Sequence, residues 1–356
     1  MSLDELRIQI DNIDRELLRL LRERMETSAQ VGALKADQGR EVYDPQREAQ
    51  LLGKLTSEDL SPLSTPAIIG IYREILSASR ALQRLPAVAF LGPEHTFSHM
   101  AALKHFGSRC HFEAQSTIED VFSAVERGSV DQGIVPIENT IQGVETRTLD
   151  AFVNSPLYIC AEAWVDVHIC VLTTGTMGQI KRVLSHPQPL AQCRQWLHAH
   201  LPEAELIPVA STAAAAAIIA ANGDPTEAAL ATVEAAVFHK LPIIAENIED
   251  RANNRTRFFV IGTTETGPTG RDKTSLVFTT RHRSGALASA LVPLSAHQIS
   301  LTLIQSRPAP ARMEGPYVFY VDFEGHQEEP MVKAAIDGLH EQSQTLKVLG
   351  SYPIAW

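Results

Sequence analysis

"NNRTRFFVIG", residues 253–262, places four adjacent apolar side chains, Phe258 to Ile261, behind two asparagines and a threonine held between two arginines. An unbroken apolar run bounded by turn-forming residues reads as a strand covered on both faces, as in a layered α/β domain. Its entry is polar, with Thr256 between Arg255 and Arg257. Two readings of that entry stay open. It is a loop whose charges are solvated, or it holds a hydroxyl in place beside fixed cations.

Outward from this run, "VAFLG" (88–92), "GIVPI" (133–137), "LYICAEAWVDVHICVL" (157–172), "RVLSH" (182–186) and "ELIPVA" (205–210) are further strand candidates. Helical patterns at 117–126, 188–200 and 211–220 fall between them. Strands alternating with helices over 86–264 predict an α/β domain in two lobes. Beyond it, "KTSLVFTT", a helix at 285–296, "ISLTLIQS", "YVFYVDFEG", a helix at 329–342 and "LKVLGSYPI" follow the order βαββαβ. That order is the ferredoxin-like split unit, an α+β module over 272–356.

The first 85 residues are all helical in pattern. Leu3, Leu6, Ile10, Ile13, Leu17 and Leu20 recur at spacings of three and four, and Val31 and Leu34 resume them before Gly39. Asp44-Pro45 opens a second helix as N-cap and first residue, and a third runs from about Thr65 to Arg84. A first helix of over thirty residues is roughly 50 Å long. Its stripe is too long for two shorter helices to cover, which predicts pairing with a second subunit.

The 356 residues carry a formal charge of −11 and are 44% hydrophobic. That length predicts two or three domains with real cores. The acidic balance argues against nucleic acid or an anionic membrane as partner. There is no apolar run long enough to span a bilayer and no basic, then apolar, leader, so a soluble cytoplasmic protein is expected. The four cysteines show no CxxC spacing, and neither a disulfide framework nor a zinc site is expected.

The first helix departs from its own pattern at Arg24 and Thr27, where apolar residues are due. A cation in a packed seam is costly unless an anion meets it. Lys35 shares nearly the same face, whereas Arg7 is about 100° away and suits a different pocket. Arg47 and Glu48 lie one turn beyond Asp44, and Ser79 and Gln83 are four apart on the third helix. These groups make either a pocket for an anion or ordinary surface ion pairing.

The stretch "LRIQIDNIDRELLRLLRERMETSAQVGALK…YDPQRE…YREILSASRALQ" resembles the all-helical chorismate mutase family, an intertwined homodimer without a cofactor. The resemblance implies that Arg7 (from the partner) and Arg24 hold substrate carboxylates. It places Lys35 and Gln83 at the ether oxygen of chorismate, and Glu48, helped by Asp44, at the ring hydroxyl. Arg47 and Ser79 complete the implied binding set. The reaction needs no proton or nucleophile, only positioning and stabilisation of charge growing on the ether oxygen.

"GPEHTFSHMA", "STIEDVFSAVERGSVDQGIVPIENTIQGV", "VLSHPQPLAQCRQWL", "STAAAA" and "ENIEDRANNRTRF" resemble prephenate dehydratase, whose fold is two α/β lobes like the periplasmic binding proteins, with substrate in the cleft. The resemblance implies Thr256 as the donor to the leaving hydroxide. Thr96, Ser98, Glu138, Asn139, Thr140, Arg257 and Phe258 are the implied cleft residues. Arg257 either fixes a carboxylate or holds the loop. His95 stands where that family has glycine, which predicts an adjusted loop around Thr96. His95 and His99 have metal spacing but no third ligand in sequence, so no metal is expected. His168 reads as a strand residue, either near the cleft or in the core.

The last module resembles an ACT domain. "RSGAL" (283–287) and "QSRP" (305–308) imply an L-phenylalanine site at Gly285, Ala286, Leu287, Gln305, Ser306, Arg307 and Pro308, with "GPY" (315–317) in place of the family's "WEY". Ser284 and Gln305 depart from that pattern. The assembly implied is a homodimer or a dimer of dimers. A rival reading joins the mutase to a two-lobed sensor without chemistry. Another replaces the dehydratase by a prephenate dehydrogenase, but no GxGxxG follows a strand.

Overall fold

A capping box starts the first helix: the Ser2 hydroxyl accepts from the Glu5 N–H while the Glu5 carboxylate accepts from the Ser2 N–H. The helix, α1 (Leu3–Asp37), ends where Gly39 takes φ +62°, a left-handed turn that favours glycine. Asp44 caps α2 (Pro45–Thr56) by accepting from the Arg47 N–H, and Ser64 caps α3 (Thr65–Gln83). The computed structural model describes residues 1–309, 315 and 317–355. Pro316 of the "GPY" stretch lies outside the described residues.

The chain divides into two compact units. One is Met1–Ala87 with the short segment Phe106–His111; the other is the remainder from Val88 on. Within the helical unit α1 buries none of its residues, and Ile13 and Leu17 are each 52% exposed. The short segment adds the Phe106 ring against Tyr43, and its Arg109 N–H donates to the Ser77 hydroxyl.

The second unit begins with β1 (Ala87–Leu91), α4 (Phe97–Phe106), β2 (His111–Gln115), α5 (Ile118–Glu126), β3 (Gln132–Asn139), β4 (Gly143–Val144), α6 (Thr146–Asn154) and β5 (Tyr158–Asp166). The chain then crosses to a second sheet through β6 (Cys170–Leu172), β7 (Arg182–Ser185), α7 (Pro187–Gln192), α8 (Arg194–His200), β8 (Glu205–Pro208), α9 (Thr212–Asn222), β9 (Glu227–Ala231), α10 (Val233–His239) and β10 (Ile243–Ala245). It returns as β11 (Arg255–Gly262). The first sheet has the order β2-β1-β3-β11-β5, with β4 on β3; the second has β10-β6-β9-β7-β8. Two α/β lobes result.

β11 is an interior strand, antiparallel to both β3 and β5, and Phe258 to Ile261 are fully buried. The covered-strand expectation therefore holds, in a mixed sheet. The stretch 157–172 is not one strand, because it breaks at Val167–Ile169 to change lobes. His168 lies in that crossover with an exposed side chain, 3.0 Å from Glu249, which removes the core-histidine alternative. The crossovers lie side by side, joined by the Val167 N–H to Asn254 carbonyl bond (2.7 Å) and by Ile248 N–H to Ile169 carbonyl (3.0 Å).

The C-terminal segment runs β12 (Asp272–Thr279), α11 (Ala286–Ala296), β13 (Leu301–Pro308), β14 (Tyr317–Glu324), α12 (Pro330–Gln342) and β15 (Thr345–Pro353). Its sheet is antiparallel with the order β13-β14-β12-β15. Leu276, Phe278, Val321 and Phe323 pack on Ala290 and Leu294 of α11 and on Val332, Ala335 and Leu339 of α12.

Candidate active sites

The helical unit holds a cavity of about 550 Å³, lined by charged side chains from all three helices. Arg24, Lys35, Asp44, Arg47, Glu48, Ser79 and Gln83 line it. Arg7 does not; it is exposed and 3.5 Å from Asp4. The misplaced cation of α1 is accounted for here, since Arg24 Nη1 donates to Ser79 Oγ at 2.6 Å. Lys35 Nζ donates to the Val42 carbonyl at 3.0 Å and is 4.0 Å from Asp44. Gln83 Nε2 donates to Ser28 Oγ at 3.1 Å, while its Oε1 is buried without a partner.

Two features of this cavity escaped the sequence reading. Arg80, 3% exposed, donates to both Glu48 and the Phe106 carbonyl and so sets the Glu48 carboxylate. Burial opposes its charge, but Glu48, together with Tyr43 and Cys110, raises its pKa. The signal was weak because an arginine on a helix rich in polar groups usually faces water. The second feature is Gly32, inside α1. A Cβ there would come within 2.4 Å of Gln83 Cγ and 2.8 Å of its Cβ. The glycine lets α1 approach the Gln83 stem.

Between the two lobes of the second unit lies a cleft of about 210 Å³. Thr96 and Ser98, at the start of α4, line one wall with Asn139 and Thr256. His186, Gln188, Gln192, Ser211 and Thr212 of the other lobe line the facing wall. Asn139 organises the Thr256 side. Its Oδ1 accepts from the Ile141 and Gln142 N–H groups, at 3.0 and 3.2 Å, so its amide nitrogen faces the threonine. That nitrogen donates to Thr256 Oγ1 (2.9 Å) and Asn254 Oδ1 (2.9 Å). With its oxygen accepting from an amide, Thr256 keeps its own proton to donate.

The remaining expected cleft residues lie elsewhere. Thr140 holds the "NNRTR" turn, accepting from the Arg255 N–H and donating to the Asn253 carbonyl. Glu138 pairs in register with Val144 and Arg257 and is not in the cleft lining. Arg257 and Phe258 are 2% and 1% exposed, and neither lines the cleft. The Arg257 guanidinium points to the opposite face of the sheet, onto Glu162 (2.7 Å) and Asp322 (2.5 Å). Of the two roles weighed for Arg257, holding structure is the one its contacts support. The alternation of a strand is the reason: Thr256 and its neighbour cannot share a face.

His95, at the position where the family pattern has glycine, takes φ +64°. A left-handed residue with a Cβ costs about 1 kcal/mol. Its N–H donates to His99 Nδ1 at 3.0 Å, and its ring packs on Phe238 of the other lobe with centroids 3.9 Å apart. Burial, then the nearby His95, lowers the His99 pKa, and burial lowers that of His186. The loop keeps Thr96 at the cleft, where its hydroxyl donates to the Pro93 carbonyl at 2.9 Å. Among the described residues no cluster of three metal-ligating side chains occurs.

In the C-terminal segment Gly285 takes φ +74° just before α11, with Ala286 and Leu287 in its first turn. Gln305, Ser306, Arg307 and Pro308 lie on β13, an edge strand. Gln305 Nε2 donates to the Ser306 carbonyl, and Arg307 pairs with Asp150 at 2.7 Å.

Sequence profiles of two families match the chain: chorismate mutase type II over residues 6–84 and prephenate dehydratase over 88–266. A bifunctional chorismate mutase/prephenate dehydratase of Aquifex aeolicus is 42% identical over 99% of this chain and 98% of its own length. The chain belongs to this bifunctional family. The corresponding Neisseria gonorrhoeae protein is 41% identical over 99% of both chains. A solved prephenate dehydratase from Arthrobacter aurescens, in complex with L-Phe, is 32% identical with a TM-score of 0.70, over 75% of this chain and 90% of that one. This bifunctional enzyme of aromatic amino acid biosynthesis rearranges chorismate to prephenate and converts prephenate to phenylpyruvate. Every residue lining the helical cavity falls within the mutase match, and every residue lining the cleft within the dehydratase match. No helix among the described residues is long and apolar enough to cross a membrane.

Proposed function

We propose that the helical cavity binds chorismate and the inter-lobe cleft binds prephenate, within modules spanning 1–85, 86–264 and 272–356. In the cavity Arg24, its head fixed by Ser79, and Arg7 from a second copy hold the two carboxylates, and Arg47 completes the binding set. Lys35 and Gln83 meet the ether oxygen as its charge grows, in a site whose donors are already in place. Glu48, set by Arg80, and Asp44 orient the ring hydroxyl. No group here needs to gain or lose a proton, in keeping with a pericyclic rearrangement.

In the cleft Thr256 donates to the ring hydroxyl of prephenate as the C–O bond breaks. Electrons from the departing carboxylate form the new ring double bond, CO2 leaves, and the hydroxide leaves as water with a proton relayed through the hydroxyl from solvent. The Asn139 amide hydrogen bond to Thr256 Oγ1 carries this reading, because it directs the threonine proton away from Asn139. The N-terminus of α4, with Thr96 and Ser98, is suited to a substrate carboxylate.

The test is to feed chorismate to wild type and to Thr256→Val and to follow prephenate and phenylpyruvate. The variant should accumulate prephenate, with dehydratase kcat down about 10²-fold or more, as on loss of a transition-state donor. Mutase turnover should stay at the wild-type rate. Phenylpyruvate formation by the variant at the normal rate removes the assignment of Thr256.

The βαββαβ segment we read as a ferredoxin-like ACT module taking L-phenylalanine at Gly285–Leu287 and Gln305–Pro308, between copies of a cytoplasmic homodimer or dimer of dimers. The L-Phe complex of the related dehydratase supports the effector, and the bare stripe of α1 supports the dimer.

A further inference from the structure

Prephenate carries two carboxylates, yet among the described residues that line the inter-lobe cleft there is no lysine or arginine. His186 is the one lining side chain that can take a positive charge. A cleft without fixed cations fits the reaction. The carboxylate that leaves as CO2 gives up its charge as the bond breaks, so a cation paired with it would hold substrate more tightly than transition state. The pyruvyl carboxylate keeps its charge throughout and still needs donors.

The wall facing Thr256 supplies them at His186. In "VLSHPQ", residues 183–188, the chain passes from β7 into α7 with His186 as the N-cap. The His186 Nδ1 accepts from the Gln188 N–H at 3.3 Å, which leaves the single proton of the neutral ring on Nε2. A charged ring has a proton on each nitrogen and could not cap α7 in this way. Burial favours the same neutral form, lowering the His186 pKa. Serine, threonine, aspartate and asparagine are the preferred caps; histidine in their place adds a donor beyond the capping atom. That Nε2–H has no partner among the described residues, and the side chain lines the cleft. In the same wall the Gln192 amide nitrogen is buried without a partner. Leaving a buried donor unpaired is costly, so this wall is furnished for an acceptor from outside the chain.

We propose that His186 is a substrate-binding residue of the dehydratase, its Nε2–H donating to the pyruvyl carboxylate of prephenate from the lobe opposite Thr256. This rests on the cleft being the prephenate site. Substrate is then held from both lobes, with Thr256 at the leaving hydroxyl on one wall and a neutral donor on the other.

The experiment measures dehydratase kcat and KM for prephenate in the full chain carrying His186→Asn, His186→Gln or His186→Ser, with melting temperature as the check on folding. Asparagine puts its oxygen where Nδ1 lies and keeps the cap. Glutamine puts its amide nitrogen where Nε2 lies and keeps the donor. H186N should raise KM about tenfold or more, as on loss of a hydrogen bond to a charged group. Its kcat should stay within about threefold, because the lost contact is common to substrate and transition state. H186Q should stay within about threefold of the wild-type KM. A cap without contact to substrate predicts the reverse order. Wild-type KM in H186N, or a larger loss in H186Q than in H186N, overturns the proposal. H186S, which also keeps a strong cap and lacks the donor, should behave as H186N does and decides the matter if H186N does not fold. Normal dehydration by Thr256→Val would instead remove the reading of the cleft beneath the proposal, whereas wild-type KM in H186N beside an inactive Thr256→Val removes His186 alone.

Discussion

At the scale of single residues, Gly32 and Gln83 show how a site imposes on a helix. Glycine inside a helix costs about 1 kcal/mol relative to alanine, and Gly32 lies within α1, before its last turn and not at its C-cap, Gln38. The nearest atoms to a Cβ there are the Cγ and Cβ of Gln83, the stem of the side chain rather than its movable end. Gly32→Ala should therefore stabilise α1 locally while displacing Gln83, with mutase kcat down about tenfold, equivalent to about 1.4 kcal/mol of lost transition-state stabilisation. Dehydratase turnover of added prephenate should not change. Mutase kcat at the wild-type level in the variant would show that Gln83 tolerates the shift. His95 illustrates the opposite compromise: a side chain at positive φ, retained with a ring contact to Phe238 and a backbone bond to His99.

At the scale of elements, α1 is the most legible piece of the chain and the least satisfied. Its close follows from Gly39, and its stripe from spacings of three and four. Yet Leu6, Ile10, Ile13, Leu17 and Leu20 are all more than 40% exposed in one chain. A contiguous apolar face of this length, left exposed in one chain, is what an interface would cover. Leu17→Lys, in the middle of the stripe, should shift sedimentation toward monomer at micromolar concentration. Mutase activity should fall with it, since Arg7 does not line the helical cavity of its own chain. A fully dimeric, fully active L17K protein would mean that the stripe is covered some other way. The sheet elements were less legible. β9 is an interior strand of the second lobe and wholly buried, but its "EAALA" carries neither β-branched nor aromatic residues and reads as helix or loop. Burial between β6 and β7 overrides that propensity.

At the scale of the whole molecule, the dehydratase lobes and the C-terminal sheet share a buried polar interface, and a ligand on that module biases the cleft only if it binds different states of the chain unequally. L-phenylalanine should bind the full chain by calorimetry and lower dehydratase activity; absence of binding heat would end the sensing assignment and leave catalysis untouched. Gln305, in place of the carboxylate implied by the family pattern, predicts weaker recognition of the effector's ammonium group.

By itself the sequence determined what depends on neighbours along the chain: the helix α1 and its close at Gly39, the covered run of β11, the βαββαβ order, and the set of charged residues around Arg24. These are statements about period, turn chemistry and charge, which act over a few residues. Tertiary structure decided what depends on residues far apart. It split 157–172 between two sheets and supplied the cleft wall of Gln192 and Ser211. It brought Arg80 to Glu48, and it turned Arg257 away from substrate onto Asp322. Each of these is a choice between water and a buried partner. A side chain's own type and neighbours do not contain that choice, because the partner is positioned only when the chain has folded.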